Sequence, residues 1–308
     1  MNNNKVCIVT GASRGLGRGI ALVLAKEEGC TVYATARNEH ALESLAKEAK
    51  AGNKGGVVKV CVLDQLDDSA VKDFVEEVKS EENQVDLLVN SSFAGLIAIS
   101  PHFGKPFWER PLTVFDESHK IGLRSAHVMS ALVAPMMIKN KTGLIVQVSS
   151  FGGVKYVFDV GYGVGKAGLD RLTTDMASEL KQYNVHAVTL YPGAGVTEVT
   201  SFPGGETPIF TGRAVAALLN KATKEDHARM SGKVVQTAEL AVDYGFTDVN
   251  GIMPEGDFSG VNAAKHQREV MSKPLIQYDM DAELPDTTET NNIGVGALFA
   301  GAQKYSGK

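Results

Sequence analysis

A chain of 308 residues can bury a substantial core, as one large α/β domain or two small ones. A net charge of −5 and a pI near 5.8 argue against nucleic acid as the main partner, because nothing neutralises phosphates over an extended face. The start, MNNNK, is no secretory signal, no run approaches the ~20 apolar residues of a membrane helix, and neither the seven histidines nor the three cysteines have metal spacing, so a metal-free cytoplasmic protein is expected.

Along the chain, VCIVT (6–10) reads as a buried strand, followed by a glycine-rich turn and the helical pattern LGRGIALVLAKEE. TVYATA (31–36) is the next strand, with a helix over HALESLAKEAK. VVKVCVL (57–63) precedes the charged helix DDSAVKDFVEEVKS, and VDLLVN (85–90) is the fourth strand. A long aromatic loop intervenes before a helix expected over 113–138. LIVQVS (144–149) and VHAVTLY (185–191) bracket a helix starting near Gly161, and KVVQ (233–236) closes the series. Short apolar strands separated by helix-length periods are the mark of parallel βαβ units, with right-handed crossovers that place helices on both faces. The expected fold class is therefore α/β, a single-domain, Rossmann-like, doubly wound parallel sheet of about seven strands over residues 1–250. From 251 to 308 the periodicity fades, and a partly ordered C-terminal extension is expected.

Two stretches carry chemistry. TGASRGLG (10–17) directly follows the first strand and opens the first helix; its glycines suit a tight turn and a close backbone approach to pyrophosphate, which the helix N-terminus would attract. Arg14 lies in this turn, and the second strand ends in Thr35 and Arg37 where an NAD site would carry an acid. Two guanidiniums and a hydroxyl suit a 2′-phosphate, so NADP(H) is the expected cofactor, with Glu39 the nearest acid. The second stretch is SSFGGVKYVFDVGYGVGK (149–166). Of eight tyrosines only Tyr162 has a lysine four residues on, Lys166, and that spacing puts both on one helical face. A phenol with a pKa near 10 becomes a base at neutral pH only with roughly 4 kcal/mol of phenolate stabilisation, of the order a fixed ammonium supplies in a desolvated site. The expectation is a lowered Tyr162 pKa.

TGASRGLG and YGVGK together, with an aspartate closing the third strand, VN closing the fourth, VSS closing the fifth and PGAGVT after the sixth, resemble the short-chain dehydrogenase/reductase family in its compact carbonyl-reductase branch, over about residues 5–245. The resemblance implies catalytic roles for Ser150, Tyr162 and Lys166. It also implies cofactor contacts from Gly11, Ser13, Arg14, Gly15, Leu16 and Gly17 at the phosphate turn, Asp64 at the adenine, Asn90, Tyr162 and Lys166 around the nicotinamide ribose, and Pro192, Gly193 and Thr197 at the carboxamide. Ser150 is preferred over Ser149 on the family's SSxxG pattern. Two departures stand out: Ser91–Ser92–Phe93 follow Asn90, and Gly122 falls where many members carry a relay asparagine, with His119 and Lys120 nearby.

The loop 93–111, with Phe93, Phe103, Phe107 and Trp108, and the segment 200–219, read as a lid, are expected to line an apolar pocket, joined by Tyr156 and Phe158. The implied substrate is a hydrophobic aldehyde or ketone, steroid-like or xenobiotic, bound by a homodimer or homotetramer. An NAD-dependent alcohol dehydrogenase and a non-catalytic NADP(H)-binding sensor are the alternative readings.

Overall fold

Val6–Thr10 (β1) is inaccessible along its whole length, as a strand covered on both faces must be. It is followed in chain order by α1 (Gly15–Lys26), β2 (Thr31–Ala36), α2 (Glu39–Ala49), β3 (Val57–Val62), α3 (Asp68–Glu82), β4 (Leu87–Asn90), α4 (Gly95–Ile99), α5 (Leu112–His119), α6 (Ser125–Asn140), β5 (Leu144–Val148), α7 (Val160–Leu180), β6 (His186–Tyr191), α8 (Pro208–Asn220), α9 (Lys224–Met230), β7 (Val234–Gln236), α10 (Thr237–Tyr244) and α11 (Gly260–Met271). This computed structural model describes residues 4–272. The strands form one seven-stranded parallel sheet in the order β3-β2-β1-β4-β5-β6-β7.

Alternate residues of each strand feed two cores. Cys7 and Val9 face α1, α2 and α8, whereas Val6 and Ile8 face α3, α6 and α7. Cys7, Cys30 and Cys61 are free thiols, and the first two are buried. The strand order reverses between β1 and β4, and in such sheets ligands bind in the crevice at the carboxyl ends of the strands flanking that switch.

Two expectations change. The helix expected over 113–138 is two helices, because Ile121 and Gly122 leave helical geometry, Gly122 at φ +145°. A Cβ at Gly122 would stand 2.7 Å from the Phe93 ring, so the break is where that ring enters the helix layer. Within Leu112–Asn140 an 18-residue window has a mean hydropathy of 1.4, enough by length and composition alone to cross a membrane, and 44% of that window is buried in the fold, as in the core helix of a globular domain. The second half of the expected lid is core: α8 buries Phe210, Val215 and Leu218 and presses onto α1, where Gly212 lies against the Gly19 carbonyl. Its buried side chains belong to the core shared with α1.

Beyond residue 250, α11 docks on the sheet edge. Gln236 Nε2 donates to the Ala264 carbonyl at 3.1 Å, and Arg268 reaches the Val234 carbonyl at 2.9 Å. The remainder of the expected extension, 273–308, lies outside the described residues.

Candidate active site

The crevice between the carboxyl ends of β1 and β4 gathers the phosphate turn. Gly11 sits at φ +69°, and a Cβ there would stand 2.8 Å from the Ser92 backbone. The Thr10 hydroxyl accepts from the Ser91 and Ser92 amides at 3.1 and 3.2 Å, tying this turn to the residues after β4. Arg14 caps α1 in extended geometry, and Gly15 follows as its first residue. The Gly15 amide donates to Glu198 Oε2 at 2.8 Å. A carboxylate thus stands at the N-terminus of α1, where the dipole and unpaired amides favour an anion. This stand-in anion shows that the turn's amide accepts negative charge, as a phosphate-binding turn must.

Other residues expected at the cofactor are placed as follows. Ser13 and Leu16 are half-buried on the turn, with Gly17 packed beneath it, and Arg37 is exposed at the end of β2. Thr35 is fully buried and its hydroxyl accepts from Gln65 at 3.3 Å, so it is spent inside the fold. Asp64 is exposed two residues past β3 and accepts from the Leu66 amide. The Asn90 side chain turns away from the crevice, donating to Ser130 Oγ at 3.0 Å, which leaves only its backbone to face a ligand. Pro192 and Gly193 follow β6 directly. The Gly193 amide is engaged by Glu206, and Thr197 Oγ1 accepts from the Val199 and Thr200 amides at 3.1 Å each.

The residues expected to be catalytic lie just after β5 and in the first turns of α7. Asp159 is the N-cap of α7, accepting from the Tyr162 amide, and its other oxygen pairs with Arg110 Nη1 at 2.9 Å, both side chains buried. Arg110 also donates to the Phe158 and Lys105 carbonyls, so one guanidinium pins the aromatic loop to the helix that carries the tyrosine. Sequence reasoning missed this pair; the signal for Asp159 was an N-cap aspartate opening a helix, whereas nothing local marked Arg110. Ser150 lies close enough to Tyr162 to favour its phenolate, and its hydroxyl accepts from the Gly152 amide at 3.1 Å. Ser149 instead points inward, donating to the Lys166 carbonyl at 3.3 Å.

Tyr162 and Lys166 do share a helical face, but their electrostatics differ from expectation. Burial pushes the Tyr162 phenol up to about 12, against a lowering contribution from Ser150. Burial likewise pulls the Lys166 ammonium down to about 8, opposed by the Asp170 carboxylate. The Lys166 amine donates to the Val148 carbonyl at 3.1 Å and lies 4.4 Å from the Phe93 ring centre, 5.8 Å from that of Tyr162. Desolvation outweighs charge stabilisation, so the phenol keeps its proton.

Around Tyr162 the aromatic wall consists of Phe93 and Phe158, at 5.6 and 5.0 Å between ring centres, with Phe103 behind Phe158. Phe107 and Trp108 meet edge to face in solvent and leave the wall, as does the exposed Tyr156. Lys120 is paired with Asp116 on the surface, and His119 stacks on Phe115. Among the described residues no cluster of His, Cys, Asp or Glu is arranged for a metal.

The family model for short chain dehydrogenases matches residues 5–203. The chain belongs to the short-chain dehydrogenase family. It is thus an oxidoreductase of a family that binds nicotinamide cofactors. The chain is 39% identical to Dehydrogenase/reductase SDR family member 1 of Mus musculus, over 85% of this chain and 88% of the relative, and 38% identical to the Homo sapiens protein of that name, over 81% and 84%. Among solved structures, a metagenomic short-chain oxidoreductase in complex with NADP superposes at a TM-score of 0.63 with 28% identity, covering 75% of this chain and 96% of that one.

Proposed function

We propose that this short-chain dehydrogenase is an NADPH-dependent reductase of hydrophobic aldehydes and ketones. The observation that carries the reading is a protonated, buried phenol at Tyr162, next to Ser150 and walled by Phe93 and Phe158.

When bound, the cofactor supplies a hydride to the carbonyl carbon. The chain's own residues handle the oxygen. The Ser150 hydroxyl orients it and donates to the developing negative charge. Tyr162, a phenol throughout the physiological range, gives up its proton to that oxygen, as a general acid must. The phenolate left behind is opposed by burial, and Lys166 is the nearby cation able to compensate it. An aromatic wall with few charges excludes water and favours an apolar substrate over a sugar phosphate or acid. Arg14 and Arg37, at the turn and at the end of β2, flank the place of an adenosine ribose and support NADPH over NADH.

The test is a screen of steroid-like and aromatic ketones with NADPH and NADH. Turnover with NADPH that Tyr162→Phe loses, and weaker NADPH but unchanged NADH binding in Arg37→Ala, are the expected results. Tighter NADH binding that survives Arg37→Ala would instead favour the NAD-dependent alcohol dehydrogenase. Failure of every ketone in the wild-type protein would favour a sensor.

A further inference from the structure

A half-buried carboxylate one helical turn beyond Lys166 has no part in the chemistry above. Asp170 lies on the catalytic face of α7, eight residues after Tyr162. Its Oδ2 accepts a short hydrogen bond from the Tyr191 hydroxyl at the end of β6, while its Oδ1 is buried without a hydrogen-bond partner. Ser149, at the end of β5, lies close enough to stabilise the same carboxylate. Gly153 leaves the room Oδ2 occupies, since a Cβ there would stand 2.6 Å from it. Three segments that carry Ser150, Lys166 and Pro192 are therefore tied at one acid.

An acid is expensive in such a place, and a residue serving only to join these segments need carry no charge. What the charge does is set by its neighbours. The Lys166 amine has a single carbonyl acceptor in a desolvated cavity, and Asp170 is the one charge that supports its ammonium form. The same charge disfavours phenolate at Tyr162. Gly122 offers no side chain to a proton relay, and the Phe93 ring stands where one would begin.

We propose that Asp170 is a positioning residue for proton transfer: its carboxylate, held by the Tyr191 hydroxyl behind Lys166, keeps the Tyr162–Lys166 pair in its fully protonated form and so biases the enzyme towards reduction. This inference rests on the carbonyl-reductase reading for its catalytic consequence, and on the geometry alone for its electrostatic one. Burial raises Asp170 to about 6 and lowers Lys166 to about 8, so both are charged between those values. The other titratable groups facing this cluster are Tyr191 itself, His119 of α5, whose ring nears Gly165, and Arg268 of α11, which acts on Tyr191.

The decisive measurement is the titration of Lys166 by heteronuclear NMR in lysine-labelled, cofactor-free protein, its signal assigned by loss in Lys166→Arg. In Asp170→Asn the midpoint is expected to fall by about one pH unit or more. Asp170→Ser gives the same test should the amide variant not fold. In parallel, the alkaline limb of kcat for reduction is expected to move down by a similar amount, with KM for the ketone changed less than threefold. An unmoved Lys166 midpoint overturns the proposal, even if kcat falls, since a packing role alone would lower kcat without shifting the titration. If the wild type reduces no carbonyl, the reductase reading falls, and the NMR titration still decides the electrostatic role.

Discussion

Tyr162 holds its proton because 5% exposure leaves its phenolate without water, a loss that outweighs what its neighbours return. Removing that hydroxyl in Tyr162→Phe is expected to cut kcat about 10²–10⁴-fold with NADPH binding retained, as measured by steady-state rates and fluorescence titration. Loss of dinucleotide binding together with rate would mean the ring, not the proton, matters. Glu198 makes a less intuitive case. Its carboxylate holds the Gly15 amide that a diphosphate needs, and it would repel that diphosphate. Glu198→Gln is therefore expected to tighten NADPH about three- to tenfold, a gain on the order of 1 kcal/mol, read by titration at low salt. Weaker binding would show that the carboxylate helps to hold the cofactor's surroundings.

At the scale of elements, the site depends on how α7 and the aromatic loop are joined. Arg110→Ala leaves the Asp159 carboxylate buried and unpaired at the N-cap of α7, and a stability loss of about 3–5 kcal/mol is expected in urea unfolding. A loss under 1 kcal/mol would mean that water reaches the carboxylate. Gly122→Asn restores the family's usual side chain, but at φ +145° and against the Phe93 ring it is expected to cost about 1–3 kcal/mol and to bring no gain in rate. The break between α5 and α6 illustrates why such a feature escapes a sequence reading. A single glycine in an apolar helical run is tolerated in most helices. Here it is the ring of Phe93, arriving from the loop after β4, that makes the position intolerant of a helix.

For the whole molecule, the balance of protons bound by the folded chain sets its response to pH. Glu206 is fully buried, accepts from the Thr237 hydroxyl and the Gly193 amide, and burial pushes its carboxyl up to about 7. A raised carboxyl binds a proton in the folded state that the unfolded chain has already released, so this group's contribution to stability falls as pH rises from about 4.5 through 7. Glu206→Gln is expected to remove that dependence and to stabilise the fold above pH 7 by on the order of 1–3 kcal/mol, measured as urea midpoints at pH 5 and pH 8. Equal destabilisation at both values would show the carboxylate to be the preferred form.

The parallel sheet, its strand positions and the two glycine and tyrosine–lysine motifs were legible from the residues, because burial on both faces writes continuous apolar runs and because residues four apart on a helix must share a side. Ser150 was legible only by resemblance. The direction of the Tyr162 shift, the outward placement of Phe107 and Trp108, the inward turn of α8, and the Arg110–Asp159 and Asp170–Tyr191 pairs were not, since each depends on what distant segments bring within a few ångströms. Local spacing dictates which side chains can point the same way. Only the packed chain decides how much water and which charges they meet there, and those two quantities govern the ionisation on which the chemistry turns.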